Sequence, residues 1–142
     1  MSTLSAAISA GASALAVQRT RIEVAVSNMA IAESTRSADG QPYRRRNVVL
    51  APDQVHTFDA ALGGAEATGV KVAGIVQDQA PFKRRFEPGH PDADGDGFVS
   101  LPNIDAPEEM VDMLGAARGY QANLAAIGLI RDLLQKSLDL GK

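Results

Sequence analysis

The sequence predicts an α+β chain in which long N- and C-terminal helices pack as a coiled-coil-like pair, with a small β-rich insertion between them. Apolar residues recur at steps of three and four near both ends, as they do along one face of a helix. Turn-forming glycines and β-branched residues are concentrated in the middle. We therefore divide the 142 residues into an N-terminal helix (1–35), a β-rich region (36–104) and a C-terminal helix (105–142).

Two rows with seven-residue spacing predict the N-terminal helix. The larger row contains Ile8, Leu15, Ile22 and Met29. The companion row is small or polar and contains Leu4, Gly11, Gln18 and Ala25. Because small side chains allow helices to approach closely, we expect a neighbouring helix along this companion row.

The C-terminal helix has a marked start and a longer apolar stripe. Asp105 can cap it, Pro107 suits its first turn, and Glu108 stands where a capping box places an acid. The stripe contains Met110, Met113, Ala117, Tyr120, Leu124, Ile127, Arg131, Leu134 and Leu138. A pair of such helices leaves apolar surface uncovered, which favours assembly with other chains.

We therefore predict a helix–helix assembly interface on both termini. Its apolar members are Ile8, Leu15, Ile22, Met29, Met113, Tyr120, Leu124, Ile127 and Leu134. Its polar members, expected to form hydrogen bonds across the interface, are Asn28, Gln121 and Asn123.

The middle region is expected to contain short strands and turns. Loose alternation of side chains predicts strands near residues 43–51 and 69–78. Charge is segregated there: residues 44–46 and 83–85 are basic triplets, whereas residues 87–112 hold eight acids and no base. This complementarity favours contacts between subunits over binding of nucleic acid.

Composition excludes several classes of function. The chain has no cysteine and only two histidines, which argues against thiol chemistry and an all-protein zinc site. A formal charge of -3 gives no case for nucleic acid, and no catalytic motif stands out. We therefore expect no enzyme activity, no cofactor and no small-molecule substrate. Serines interrupt the apolar N-terminus, so we also expect no cleaved signal peptide.

The segment from Asp92 to Asn103 resembles a calcium loop. Asp92, Asp94 and Asp96 occupy the first three ligand positions, but Asn103 stands where a bidentate glutamate closes the shell. A polar turn is the favoured interpretation, and no metal is expected. Two alternatives stay open at this point: a calcium-responsive binding module and a cytoplasmic coiled-coil adaptor.

Several segments together resemble one family. Residues 18–24 (QRTRIEV) and 27–30 (SNMA) are similar to the N-terminal signature of flagellar rod and hook proteins. The more particular segments are 40–46 (GQPYRRR), 69–72 (GVKV), 90–94 (HPDAD), 102–104 (PNI), 109–113 (EMVDM) and 118–123 (RGYQAN). In this order and spacing they resemble the FlgC family of bacterial proximal rod proteins. Ile31 and Glu33 depart from the pattern, because the family usually has asparagine at these positions.

The resemblance implies a structural subunit of the basal-body rod, the periplasm-spanning drive shaft that transmits motor torque for motility. It implies export through the flagellar type III apparatus without a cleaved signal. The implied partners are its own copies, other proximal rod proteins, the junction protein between the MS ring and the rod, and the distal rod protein.

Overall fold

The structure, a computed structural model, describes residues 2–37, 40–55 and 67–139. In chain order the elements are α1 (Ser2–Ile31), β1 (Arg46–Val55), β2 (Ala67–Gln77), β3 (Lys83–Phe86), β4 (Phe98–Leu101) and α2 (Ala106–Asp139). Two long helices flank a small antiparallel β region, which confirms the predicted α+β class. Within the described ranges, no helix is long and apolar enough to cross a membrane.

The two helices pack against each other in antiparallel directions. An ideal Cβ on Gly11 would lie 2.9 Å from Ile127 Cγ1, and one on Gly119 would lie 3.0 Å from Gln18 Nε2. Residues early in α1 thus meet residues late in α2. Each glycine lets the opposite side chain reach the helix backbone, which is the close approach expected along the row of Gly11 and Gln18.

The face of α2 that meets α1 differs from the predicted stripe. The row of Met113, Tyr120, Ile127 and Leu134 is half-buried as expected. Its companion, also buried or half-buried, is the row of Glu109, Ala116, Asn123 and Ile130. Met110, Leu124, Arg131 and Leu138 instead face outward, and Leu124 is 55% exposed. The seam on α2 therefore combines this half-buried row of larger side chains with small and polar members, Ala116 and Asn123.

Strands β1 and β2 form an antiparallel hairpin that packs on α1. The register runs from Arg46 opposite Gln77 to Val55 opposite Ala67, with an irregularity between Val49 and Leu50. The first strand begins three residues later than the predicted 43–51 and continues beyond it. The hydroxyl oxygen of Ser13 accepts a hydrogen bond from the Val70 N–H at 3.1 Å. Helix α1 therefore contacts both α2 and the hairpin.

A second hairpin, β3–β4, leads into α2. Lys83 pairs with Leu101 and Phe86 with Phe98, whose rings meet edge-to-face at 5.2 Å. Its buried residues are Val99 and Leu101, and Ile104 follows in the connection to α2. Gly97 has φ +80 and an added Cβ would lie 2.9 Å from Phe86 Cε2, so the turn requires glycine. Helix α2 then begins at Ala106, directly after the predicted cap Asp105.

The helix glycines give a matched test of this packing. We expect Gly128→Ala to stabilise the chain by up to about 1 kcal/mol, because alanine favours helix and nothing lies within 4 Å of the added Cβ. Gly11→Ala should be about 1–3 kcal/mol less stable than Gly128→Ala, because its methyl group overpacks against Ile127. Urea unfolding followed by circular dichroism measures both. Equal free energies of unfolding would contradict the close approach at Gly11.

Candidate functional site: a buried polar junction between the helices

Asn28, near the end of α1, joins the helix to the first residue of β1. Its side chain is 1% exposed. The amide nitrogen donates to the Arg46 carbonyl at 2.9 Å, and the amide oxygen accepts from the Arg46 N–H at 3.1 Å. One side chain thus satisfies both backbone groups of Arg46, as a neighbouring strand would. The Tyr43 hydroxyl lies 3.4 Å from the same amide oxygen.

Glu109, in the first turn of α2, carries a buried charge at the same place. It is 2% exposed, and its Oε2 accepts a hydrogen bond from the Asn28 amide at 3.0 Å. Its Oε1 accepts from Arg45 Nε. A carboxylate at a helix N-terminus is also favoured by the helix dipole. The two oxygens are therefore held by donors from α1 and from the segment before β1.

Arg45 is the cation that balances this charge. Its side chain is 17% exposed, and its Nη2 also lies 3.6 Å from Glu108 and 3.7 Å from Asp112. Burial lowers the pKa of Arg45, but the hydrogen bond and charge of Glu109, with the charges of Glu108 and Asp112, outweigh it and raise that pKa. Arg45 is therefore a fixed positive charge against the first turns of α2.

We call the group of Asn28, Arg45, the Arg46 backbone and Glu109 the polar junction. A small polar cleft opens beside it. Its volume is about 140 Å³, and Arg21, Asn47 and Asp112 complete its wall. Pockets that hold small molecules usually measure roughly 300–1,000 Å³. The cleft has room for a few waters or one side chain. The geometry is that of a structural connection between segments.

The residues predicted to form the assembly interface lie in different environments within the single chain. Asn28 lies inside one chain, Asn123 Nδ2 donates to the Gly119 carbonyl of its own helix at 2.9 Å, and Gln121 is exposed. The apolar row of α1 (Ile8, Leu15, Ile22 and Met29) is half-buried. The buried apolar residues of α1 are Ala6, Val17 and Ala25, of which the sequence pattern named only Ala25, in the companion row. An assembly role for all of these residues stays a prediction.

Several charged residues form ion pairs within the chain, and contact of the charge segments with neighbouring subunits stays a prediction. Arg45 binds Glu109, Arg36 binds Asp92 at 2.8 Å, and Arg84 binds Asp94 at 2.6 Å.

Nothing in the apolar pattern marked Arg45 or Glu109. The signal that could have found them is a lone acid in the row of Ala116 and Asn123, which must be matched by a cation once that row is buried.

The two positions that depart from the family pattern lie at the end of α1. The helix ends at Ile31, which is half-buried. Glu33 Oε2 lies 2.8 Å from Arg85 Nη1, in an exposed ion pair that ties the end of α1 to β3. An exposed pair of this kind adds little to stability, because solvent screens it.

Two of the three aspartates of the calcium-like loop, Asp92 and Asp94, are occupied by protein donors. Asp92 accepts from the Thr35 hydroxyl at 2.7 Å and pairs with Arg36. Asp94 Oδ1 accepts from the N–H groups of Asp96 and Phe98, and its Oδ2 accepts from Arg84. In the part of the chain that the structure describes, no group of three or more His, Cys, Asp or Glu is arranged to hold a metal ion. The loop closes the β3–β4 hairpin as a polar turn.

Burial predicts different costs for two arginine substitutions. Arg45→Ala should lower the free energy of unfolding by about 3 kcal/mol, because Glu109 would keep a buried charge without its cation. The matched control is Arg19→Ala, which removes an exposed i,i+4 pair with Glu23 and should lower the free energy of unfolding far less. Urea unfolding of the two variants measures the difference. Similar losses would mean that burial does not strengthen the Arg45–Glu109 pair.

The turn at Asp94 predicts a pH dependence. The Phe98 N–H, together with Arg84 and the Asp96 N–H, lowers the pKa of Asp94 against an opposing effect of burial. A lowered pKa stabilises the fold above the unfolded value, near 3.9, and this stabilisation is lost as the pH falls through the folded value. Asp94→Asn should therefore melt below wild type at pH 7.

Thermal unfolding from pH 7 to pH 3 tests this directly. The difference in melting temperature between wild type and Asp94→Asn should shrink below about pH 4. Asp96→Asn is the control, because the Asp96 carboxylate has no hydrogen-bond partner among the described residues. A difference for Asp94→Asn that stays constant to pH 3 would show that its charge is not the cause.

Comparisons with known proteins relate this chain to flagellar rod proteins over almost its whole length. Residues 96–140 match the model of the flagellar basal body rod FlgEFG protein C-terminal family. The chain is 45% identical over 130 residues to the flagellar basal-body rod protein FlgC of Salmonella typhimurium, covering 92% of each chain. It is 37% identical to FlgC of Bacillus subtilis, covering 95% of this chain and 96% of that one. Against FlgC of Agrobacterium fabrum the identity is 39%, over 100% of this chain and 98% of the relative. Similarity at this level over almost the whole length shows that the chain belongs to the FlgC family of flagellar basal-body rod proteins.

Proposed function

We propose that this chain is a structural subunit of the proximal rod, which assembles through its terminal helices into the drive shaft that carries motor torque. Its family consists of basal-body rod proteins, so a structural role in the rod is the starting point. The single observation that carries the proposal is the amount of large apolar surface left uncovered on α2 when the chain is alone.

The outer surface of α2 supports assembly. Seven apolar residues of α2 are 48% to 68% exposed, and we call them the outer row of α2: Met110, Val111, Leu114, Leu124, Leu129, Leu133 and Leu138. Burying a leucine fully is worth roughly 2 kcal/mol. Large exposed apolar side chains concentrated on one helix are typical of an interaction site on a protein. Helix α2 covers one apolar face against α1 and leaves leucines exposed on its other side, where other helices can bind.

The partners and location follow from the same proposal. The outer row of α2 binds other copies of the chain and other proximal rod proteins. The ends of the assembly meet the MS-ring junction protein and the distal rod protein. The chain reaches the periplasm-spanning rod through the flagellar type III apparatus, without a cleaved signal peptide. In this scheme residues 1–35 and 105–142 form the axial core, and residues 36–104 form the surrounding β-rich part.

The absence of catalysis and of nucleic-acid binding is part of the proposal. The polar groups at the polar junction are used in bonds between segments of the chain. Of the basic triplets, Arg44 stacks over the Phe82 ring at 4.6 Å, and Arg85 pairs with Glu33 and Glu87. Arginines engaged in this way do not form the free basic patch that phosphate backbones require.

Leu124 tests the outer row in a living cell. Leu124→Asp should abolish swimming on soft agar and rod assembly, because a carboxylate would be buried without a partner in the assembled interface. Leu124→Met keeps the apolar volume and should swim. Both variants should unfold near the wild-type temperature, because Leu124 is exposed within one chain. Normal flagella and swimming in Leu124→Asp would mean that this row is not an interface.

A further inference from the structure

Apolar packing alone gives the α1–α2 pair no unique axial position. Both helices repeat their seam residues every seven positions. Moving one helix along the other by one repeat, about 10 Å, brings rows of the same kind back into contact. Gly119, which faces Gln18, would then face Gly11 or Ala25, and small side chains would again allow close approach. The repeated rows therefore permit slipped registers.

The polar junction interrupts this repeat. Glu109 is the only charged member of its row, which continues as Ala116, Asn123 and Ile130. If α2 slipped so that Ala116 lay opposite Asn28, Glu109 would leave both Asn28 and Arg45. The opposite slip would bring Glu109 towards Arg21 but would carry Asn28 beyond the start of α2. Either slip breaks the bonds of a carboxylate that is 2% exposed.

Chain connectivity prevents Arg45 from following Glu109. Arg46, its neighbour, is fixed to Asn28 through both of its backbone groups, and it also begins the ladder of β1 with β2. The cation is therefore anchored to α1 and the hairpin, whereas the anion belongs to α2. Only one axial position brings the two together.

We propose that Asn28, Arg45 and Glu109 are positioning residues that select one axial register of the α1–α2 pair. A buried polar or ionic contact at one seam position specifies register in paired helices, often with little gain in stability. The apolar rows attract the two helices in every register, whereas the polar junction makes the free energy of one register lower than that of the others. Register matters for any assembly of this chain, because a slip displaces the outer row of α2 relative to the surface of α1.

Spin-label distances in the full chain test this proposal, and a chain without cysteine allows clean labelling. Ala12→Cys and Gln135→Cys place labels at exposed positions on α1 and α2. Their axial offset is about 14 Å in the observed register, and a one-repeat slip changes it by about 10 Å. Dilution into excess unlabelled chain restricts the measurement to distances within one chain. Wild type should give one peak.

The decisive variant combines Asn28→Leu, Arg45→Met and Glu109→Leu in the labelled chain. Because the buried polar groups are replaced by apolar ones of similar size, helix content and unfolding temperature should stay near wild type. A second distance peak should appear, holding about one chain in ten or more. The matched control is Asn123→Leu, a polar-to-apolar change in the row of Glu109 whose side chain bonds only its own helix. It should keep a single peak.

Each outcome decides for or against the proposal. A second peak in the triple variant alone supports it. A single peak in a fully helical triple variant overturns it, and so does a second peak in Asn123→Leu. If circular dichroism shows that the triple variant has lost its helices, Glu109→Gln takes its place. That variant keeps an oxygen for Asn28 but loses the charge, and it should show a smaller second peak. A single peak there would overturn the proposal.

Discussion

A carboxylate removed from water must be matched by donors from elsewhere in the chain, and Glu109 is such a group. Its donors come from α1, through Asn28, and from the segment before β1, through Arg45. The same asparagine holds the backbone of Arg46, where the β1–β2 ladder begins. The end of α1, the start of the hairpin and the start of α2 are therefore fixed by one set of bonds. Loss of any member leaves the others with unsatisfied buried groups.

The elements of the fold could be predicted from the sequence because they depend on local periodicity. Steps of three and four fixed the two helices, and the start of α2 at Ala106 followed from Asp105 and Pro107. The inner face of α2 could not be predicted in the same way. Hydrophobicity groups Met110 and Leu124 in one stripe with the half-buried Met113, but it does not tell which members of the stripe a single chain covers. Periodicity finds the face of a helix only when a single partner receives it.

The polar junction was missed for a related reason. Arg45 and Glu109 are 64 residues apart in the sequence. Each belongs to a run of like charge, which is typical of solvent-exposed surface. Only the fold shows that Arg45 is turned inward while Arg44 stacks over an aromatic ring. The calcium-like loop illustrates the converse. Its acids matched a ligand pattern, but arginines and backbone N–H groups already bind the carboxylate oxygens of Asp92 and Asp94.

Apolar and polar contacts divide two tasks in this chain. Apolar attraction is non-directional, so a row of leucines can bind another helix without fixing how far along it the partner lies. Hydrogen bonds and ion pairs are directional, so a buried set of them tolerates one arrangement. The structure places the directional contacts inside the chain and leaves several leucines of α2 exposed. If those leucines were packed inside instead, the chain would be more stable alone but would present little surface to a partner. The polar junction inside each chain holds the outer row of α2 at one axial position relative to α1. A regular assembly requires this uniformity, because its subunits make equivalent contacts.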